Sequence, residues 1–282
     1  MRRKRTGFTI VELLAALGII ALMVGLLIPA LSMVRNTAKE TKQKAQFAAI
    51  ELALTAFKND YGDYPGSDWA LVGDYCGTQK LTEALLGWDL LGFHPKSAWR
   101  ADGYDGLTPN GRWTYDPDKV RDDNGDGIPD SFDERKGPYL ELSTTNAFRL
   151  GNIFNNTAPL EQNTFVLCDV FGAKKVMLAN GKTARAGAPI LYYRANTSGK
   201  TIREIYNALD NDALVLIKQQ ADGRIHPLAN ARNQYQDFYD DYIRDPKISV
   251  RPWPYRPDSY ILISAGADGL YGTSDDIRNF GN

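Results

Sequence analysis

Cysteine and histidine are scarce in this chain: Cys76, Cys168, His94 and His226 are the only ones among 282 residues. Two cysteines cannot make a disulfide framework, and they lack the spacing of a thiolate metal site. They could form one Cys76–Cys168 bridge in an oxidising compartment, with two buried thiols as the alternative. Two histidines starve any His-rich zinc centre or His-based catalytic dyad. An excess of charge is also missing: 33 Lys and Arg against 34 Asp and Glu leave a net charge of −1. That balance speaks against a protein held to nucleic acid mainly through phosphates. No G-x-S-x-G, H-E-x-x-H or phosphate-cradling glycine loop occurs, and there is no internal repeat or low-complexity tract. What remains is ordinary for a folded chain of one or two domains, with 43% apolar and 24% charged residues.

The N-terminus is not ordinary. Arg2, Arg3, Lys4 and Arg5 precede an almost unbroken apolar run, Phe8 to Met33, whose one charge is Glu12. About 20 apolar residues suffice to cross a bilayer as a helix, so membrane insertion is the expectation. A cleaved secretory signal has an apolar region of about 7–15 residues, and this run is longer. A carboxylate within such a run costs several kcal/mol unless it is paired or protonated. Either Glu12 lies at the interface and reaches headgroups, or it pairs with a positive group. Cutting the chain before Phe8 would create such a group, an α-amino terminus four residues away. On a neighbouring copy, that amine could neutralise Glu12. Pro29, inside the run, removes one helical hydrogen bond and bends a helix.

Gly7-Phe8-Thr9-Ile10-Val11-Glu12, after a basic leader and before a long apolar stretch, resembles the type IV prepilin signature. The resemblance implies a prepilin peptidase that cuts between Gly7 and Phe8 and methylates Phe8. It also implies a subunit-docking role for Glu12 and a helix-kinking or helix-melting role for Pro29. Loss of the leader, residues 1–7, would leave 29 basic and 34 acidic residues, a net charge of −5. Four cations on each side of the run make the positive-inside rule a near tie. The resemblance breaks it, because that peptidase works at the cytoplasmic face.

The helical pattern continues past the apolar run. No proline or glycine occurs from Val34 to Tyr61, and Phe47, Ile50, Leu54, Phe57 and Tyr61 recur at spacings of 3, 4, 3 and 4. Gly62 and Pro65 end the helix. A helix from Phe8 would run ~80 Å, apolar all round over 8–33 and amphipathic over 34–61. The remainder, 62–282, reads as a loop-rich extracytoplasmic head. Strands are predicted at Thr164–Val170, Pro189–Arg194 and Ser259–Ser264, with a weaker one at Lys174–Leu178. A short helix is predicted at Thr201–Leu209. The pattern predicts an α+β fold class, a long N-terminal helix on a small antiparallel sheet with an enlarged head, and the resemblance implies that it is pilin-like.

Two acidic loops stand out. Nine aspartates and three basic residues lie between Asp102 and Asp133. Within that stretch, 122–133 reads D-x-N-x-D-G-x-x-D-x-x-D. Calcium takes six to eight oxygens, and a twelve-residue loop supplies them at positions one, three, five, seven, nine and twelve. Here these are Asp122, Asn124, Asp126, the Ile128 carbonyl, Asp130 and Asp133, with Gly127 at the turn. The stretch resembles free-standing calcium loops of dockerin-like and thrombospondin-type repeats; an acidic solvated loop is the alternative. The second loop, 264–277, offers Asp268, Asp275 and Asp276 with hydroxyls from Thr273 and Ser274. Together with Asn59–Pro65, it resembles the major pseudopilin of type II secretion systems. That likeness implies Ca2+ held by Asp268 and Asp275 with loop carbonyls, and leaves Asp276 open. Arg251-Pro252-Trp253-Pro254 stands where that family carries an Asp-Pro-Trp-Gly-like strand start.

The resemblance therefore implies a non-enzymatic filament subunit anchored in the inner membrane. Its partners would be further copies of itself, minor pseudopilins, the prepilin peptidase and an inner-membrane assembly platform. A surface adhesin or a DNA-uptake pilin stays open, although a net charge of −5 disfavours DNA. A membrane-tethered enzyme is the remaining class. Five tryptophans and fifteen tyrosines could line a carbohydrate cleft with two carboxylates as acid and base, but aromatics also fill cores.

Overall fold

The computed structural model describes residues 9–69, 74–104, 114–115, 132, 134–142, 145–172, 174–178, 181–229 and 234–281. The chain divides into two compact units, Met1–Thr41 and Lys42–Asn282. Helix α1, Ile10–Tyr61, contributes to both. It stops at Gly62, whose N–H donates to the Lys58 carbonyl at 2.7 Å. The φ of +86° there is cheap only for glycine. In the first unit the apolar side chains of α1 are exposed, among them Ile10, Leu17, Leu22 and Ile28. By length and composition, α1 is long and apolar enough to cross a membrane.

The second unit holds the core. Helix α2 spans Gly77–Leu86. Strand β1, Ala147–Arg149, pairs antiparallel with β2, Phe165–Leu167; the one-turn helix α3, Leu150–Ile153, lies between them in sequence. Strands β3, Lys174–Met177, and β4, Thr183–Ala186, form a separate hairpin. Strand β5, Leu191–Arg194, pairs with β6, Tyr260–Ser264, which pairs in turn with β7, Ile277–Arg278. Between β5 and β6 run α4, Ile202–Ile205, and α5, Leu209–Asp222. Among the described residues there are thus three small antiparallel sheets rather than one.

The β5–β6–β7 sheet is covered on both faces. Tyr192, Tyr260, Leu262 and Ile277 pack with Phe47, Ile50, Leu54 and Phe57 of α1. Leu191, Tyr193, Ile261 and Ile263 join the other cluster, with Leu214, Val215 and Ile217 of α5. Alternate residues of a strand point to opposite faces, so a run such as Tyr260-Ile-Leu-Ile serves both sides. The 3–4 stripe predicted on α1 is the stripe that is buried.

Helix α2 was not expected: besides Leu81, Ala84, Leu85 and Leu86 it also buries its polar side chains. Gln79 at its third position accepts the Cys76 N–H at 2.8 Å and donates to Thr164 at 2.5 Å. Thr78 binds Asn211, and Thr82 accepts from the Leu167 N–H. Glu83 accepts hydroxyl hydrogens from Tyr75 at 2.6 Å, Tyr115 at 2.9 Å and Ser97. Each of these four buried side chains has a partner, which makes the burial tolerable. The 201–209 helix is corrected to two: α4, capped by the Thr201 hydroxyl, and the longer α5, closed by left-handed Gly223.

Cys76 and Cys168 are both free and fully buried, so the bridge is not formed and the alternative of two buried thiols holds. Burial pushes the Cys76 thiol up to about 12 and raises Cys168 well above the usual thiol range. Both stay protonated and unreactive.

Leu54 is fully buried in the α1–sheet contact, whereas Leu52 on the same helix is 73% exposed. Urea unfolding of the full chain in detergent should show Leu54→Ala losing about 2–5 kcal/mol. Leu52→Ala should lie within about 0.5 kcal/mol of the parent. Equal losses would contradict the assigned packing face.

Candidate functional site

The first turn of α1 explains part of what Glu12 does. Thr9 is the N-cap: its backbone N–H and its hydroxyl each donate to Glu12 Oε2 at 2.8 Å. The Glu12 N–H returns a bond to the Thr9 hydroxyl at 3.3 Å. Thr9-x-x-Glu12 is therefore a capping box, which satisfies backbone donors that a helix start leaves orphaned. The carboxylate also lies at the positive end of the helix dipole. Both bonds received by Glu12 end on Oε2, so Oε1 is not used by the cap. The spacing of threonine and glutamate carries this signal in the sequence, although the membrane cost of the charge is the more conspicuous feature. Gly7 and Phe8 lie outside the described residues. Pro29 lies within α1, which is helical across that position.

The second site is the loop between β6 and β7. Its backbone reverses through Gly266, Gly269 and Gly272, all at positive φ. At Gly266 a Cβ would sit 2.3 Å from the Asp275 carbonyl oxygen, so no other residue fits. Asp275 ties the loop across its mouth. Its Oδ2 accepts the Asp268 N–H at 2.9 Å, and its Oδ1 accepts from the Thr273 hydroxyl at 2.6 Å. Asp268 Oδ1 accepts the Leu270 N–H at 2.7 Å. The Arg224 guanidinium donates to the Asp268 carbonyl at 2.8 Å. Asp268 and Asp275 are exposed on this mouth.

Asp276 is turned to a different use. Its Oδ2 accepts from the Tyr242 hydroxyl and, at 2.7 Å, from the Gly272 N–H. Beneath it Tyr271 is fully buried, donating its hydroxyl to the Pro189 carbonyl at 2.5 Å and its N–H to His226 Nδ1 at 3.1 Å. Tyr242, Tyr271 and His226 were not singled out from sequence. Their roles depend on contacts with residues 34 to 82 positions away, which no local pattern encodes.

The two neighbouring carboxylates have opposite character. Burial opposes ionisation of Asp275, but the bonds from Thr273 and the Asp268 N–H outweigh it and hold its pKa below the ordinary carboxylate value. Burial pushes Asp276 up to about 7, against the bonds from Tyr242 and Gly272.

A calcium ion needs hard oxygen donors, and the loop mouth carries them in the Asp268 and Asp275 carboxylates and the Thr273 hydroxyl. A carboxylate oxygen that accepts one hydrogen bond keeps a second lone pair, so the donor set suits such an ion. Among the described residues no three His, Cys, Asp or Glu side chains converge as a metal cage. Carbonyls would have to complete the shell. Of the first acidic loop, Asp122, Asn124, Asp126, Ile128, Asp130 and Asp133 all lie outside the described residues.

A carboxyl whose folded-state pKa is raised binds its proton more tightly when folded. The stability from Asp276 is therefore fully present below its ordinary value of 3.8 and is lost as pH rises through about 7. In calcium-free melts of the full chain in detergent, Asp276→Asn should be the less pH-sensitive protein between about pH 4 and 7. Parallel melting curves for variant and parent across that window would contradict the burial of this carboxyl.

A family model for the prokaryotic N-terminal methylation motif matches residues 2–28. The type II secretion system core protein G of Pseudomonas aeruginosa is 30% identical over 112 residues, which cover 40% of this chain and 70% of that protein. No solved structure matches. A methylation motif at the head of a long apolar helix, an α+β head behind it and a relative from a type II secretion system agree with one another: the chain belongs to the family of pilin- and pseudopilin-like proteins.

Proposed function

We propose that this chain is the subunit of a filament in a type II secretion-like machine, stored in the inner membrane by the first half of α1. A prepilin peptidase cuts between Gly7 and Phe8 and methylates the new terminus, and the Phe8 amine of one copy then pairs with Glu12 of the next. The observation that carries this reading is the placement of Glu12, an exposed carboxylate at the head of an apolar helix with Oε1 not used by the cap. In hydrocarbon that charge is costly alone and tolerable when paired, so membrane burial becomes conditional on assembly. Minor pseudopilins and an inner-membrane assembly platform would be the further partners. The relative's role in secretion favours this machine over a surface adhesin or a DNA-uptake pilus.

Calcium is the second part of the proposal. Asp268 and Asp275 would bind it at the mouth of the β6–β7 loop, with Asp276 bracing the loop from below and 122–133 forming a second site. The ion would neutralise clustered carboxylates and stiffen loops that face neighbouring heads.

The capping box makes Glu12→Ala an ambiguous test, because it removes the cap along with the charge; loss of a cap costs about 1 kcal/mol. Glu12→Gln keeps a residue that can close the box and removes only the charge. Both variants should be cleaved and inserted like the parent yet fail to form filaments, as read by shearing and sedimentation from the native host. Normal filaments from Glu12→Gln would sink the docking role.

Calcium at about 100-fold above its dissociation constant adds about 2.7 kcal/mol of stability by linkage. For a head of this size that is a rise in melting temperature on the order of 5–10 °C. Chelator should reverse it, and Asp268→Asn with Asp275→Asn should abolish the part owed to the C-terminal loop. Melting curves indifferent to calcium and chelator would remove the ion from the account.

A further inference from the structure

The β3–β4 hairpin is a two-stranded sheet of its own. Its register places Lys175 opposite Arg185 and Met177 opposite Thr183. Side chains alternate between faces. Val176 and Ala186 are buried and Ala184 packs against the core, so Lys175, Met177, Thr183 and Arg185 share the outward face. All four are exposed, Met177 to 68%. Lys174, one position away, is engaged differently: its ammonium donates to the Ile153 carbonyl. Neither Lys175 nor Arg185 has an acidic partner among the described residues.

This arrangement is unfavourable for an isolated hairpin. Like charges directly opposite each other on an antiparallel pair are destabilising, and two-stranded sheets have little stability to spare. An anionic surface laid across the ribbon would offset that repulsion, with Met177 as an apolar contact beside the cations. The chain itself carries such a surface. Asp240 and Asp241 are exposed on the π-helical turn Asp237–Tyr242, and neither has a cationic partner among the described residues. The acidic stretch 122–133 is the other choice. However, its carboxylates are assigned above to calcium, which would leave them less free to meet a cation.

We propose that the β3–β4 ribbon is a docking surface for a second copy of this chain, with Lys175 and Arg185 meeting Asp240 and Asp241 of the neighbouring head. Two different patches joined in this way make a head-to-tail contact, the kind that propagates into a filament instead of closing as a dimer. The inference rests on the reading of the chain as a self-assembling subunit.

The test uses the full-length protein in native membranes and a water-soluble carbodiimide, which joins a lysine amine to a carboxylate in contact with it. The expected product is an interchain link from Lys175 to Asp240 or Asp241, identified by mass spectrometry on mixed isotope-labelled copies. Lys175→Glu with Arg185→Glu, and separately Asp240→Lys with Asp241→Lys, should each abolish the link at this contact, because each removes one of its two reactive groups together with the complementary charge. Mixing the two variants should restore it to within about twofold, as heterodimers, because the charges are then exchanged and not lost. Linking should weaken as salt rises, as expected for exposed ion pairs. An amine-to-amine crosslinker run in parallel reads self-association whatever the ribbon does. Self-association without Lys175 links, Lys175 links confined to one chain or to residues 102–133, or no recovery on mixing would each overturn the ribbon contact and leave the assembly reading standing. Absence of any self-association in the parent would overturn both.

Discussion

A carboxylate at the head of an apolar helix is the constraint around which this protein is organised. Among the described residues of the first unit, Glu12 is the one acidic side chain before Glu40. In a bilayer it would be costly unless something positive met it. Its bonds with Thr9 give it a task within one chain, closing the helix start. That task does not neutralise the charge. A capping box explains why a glutamate suits the position; under the proposed assembly, a bilayer around it would call for a partner beyond its own turn. The two roles are compatible because the cap uses Oε2.

The head is built so that the second half of the same helix becomes part of a core. Phe47, Ile50, Leu54 and Phe57 close one face of the β5–β6–β7 sheet, and α5 closes the other. Among the described residues the sheet has three strands, and both of its faces are buried. The loop between β6 and β7 inherits this rigidity. It is bounded by two strands of that sheet and braced from below by Tyr271, His226 and Tyr242. The Asp268–Asp275 mouth is thus an exposed cluster of oxygens on a fixed base.

The parts of this design legible in the sequence are those that depend on local periodicity. The α1 stripe was readable because its large apolar residues recur every three or four positions, and β5 and β6 because they are dense in Tyr, Ile and Leu. Helix α2 was not readable. Beside Leu81, Ala84, Leu85 and Leu86 it buries Thr78, Gln79, Thr82 and Glu83, which look solvent-facing until their partners at 97, 115, 164, 167 and 211 are known. Among the described residues the single expected sheet became three, because β1 is too short to declare itself and β3 pairs with β4 in a hairpin apart from the central sheet. At the C-terminal loop the acidic spacing was visible. The division between the exposed Asp268 and Asp275 and the inward Asp276 was not, since Tyr242 lies 34 residues away in the chain.

The central claim is that a terminal amine at Phe8 exists to balance Glu12 on an adjoining copy. Intact-mass and N-terminal peptide analysis of the protein from its native membranes tests it most directly. The account predicts a chain that begins at Phe8 and carries one methyl group on its terminal nitrogen. A chain that retains Arg2 to Gly7, or one trimmed beyond Met33, would contradict it.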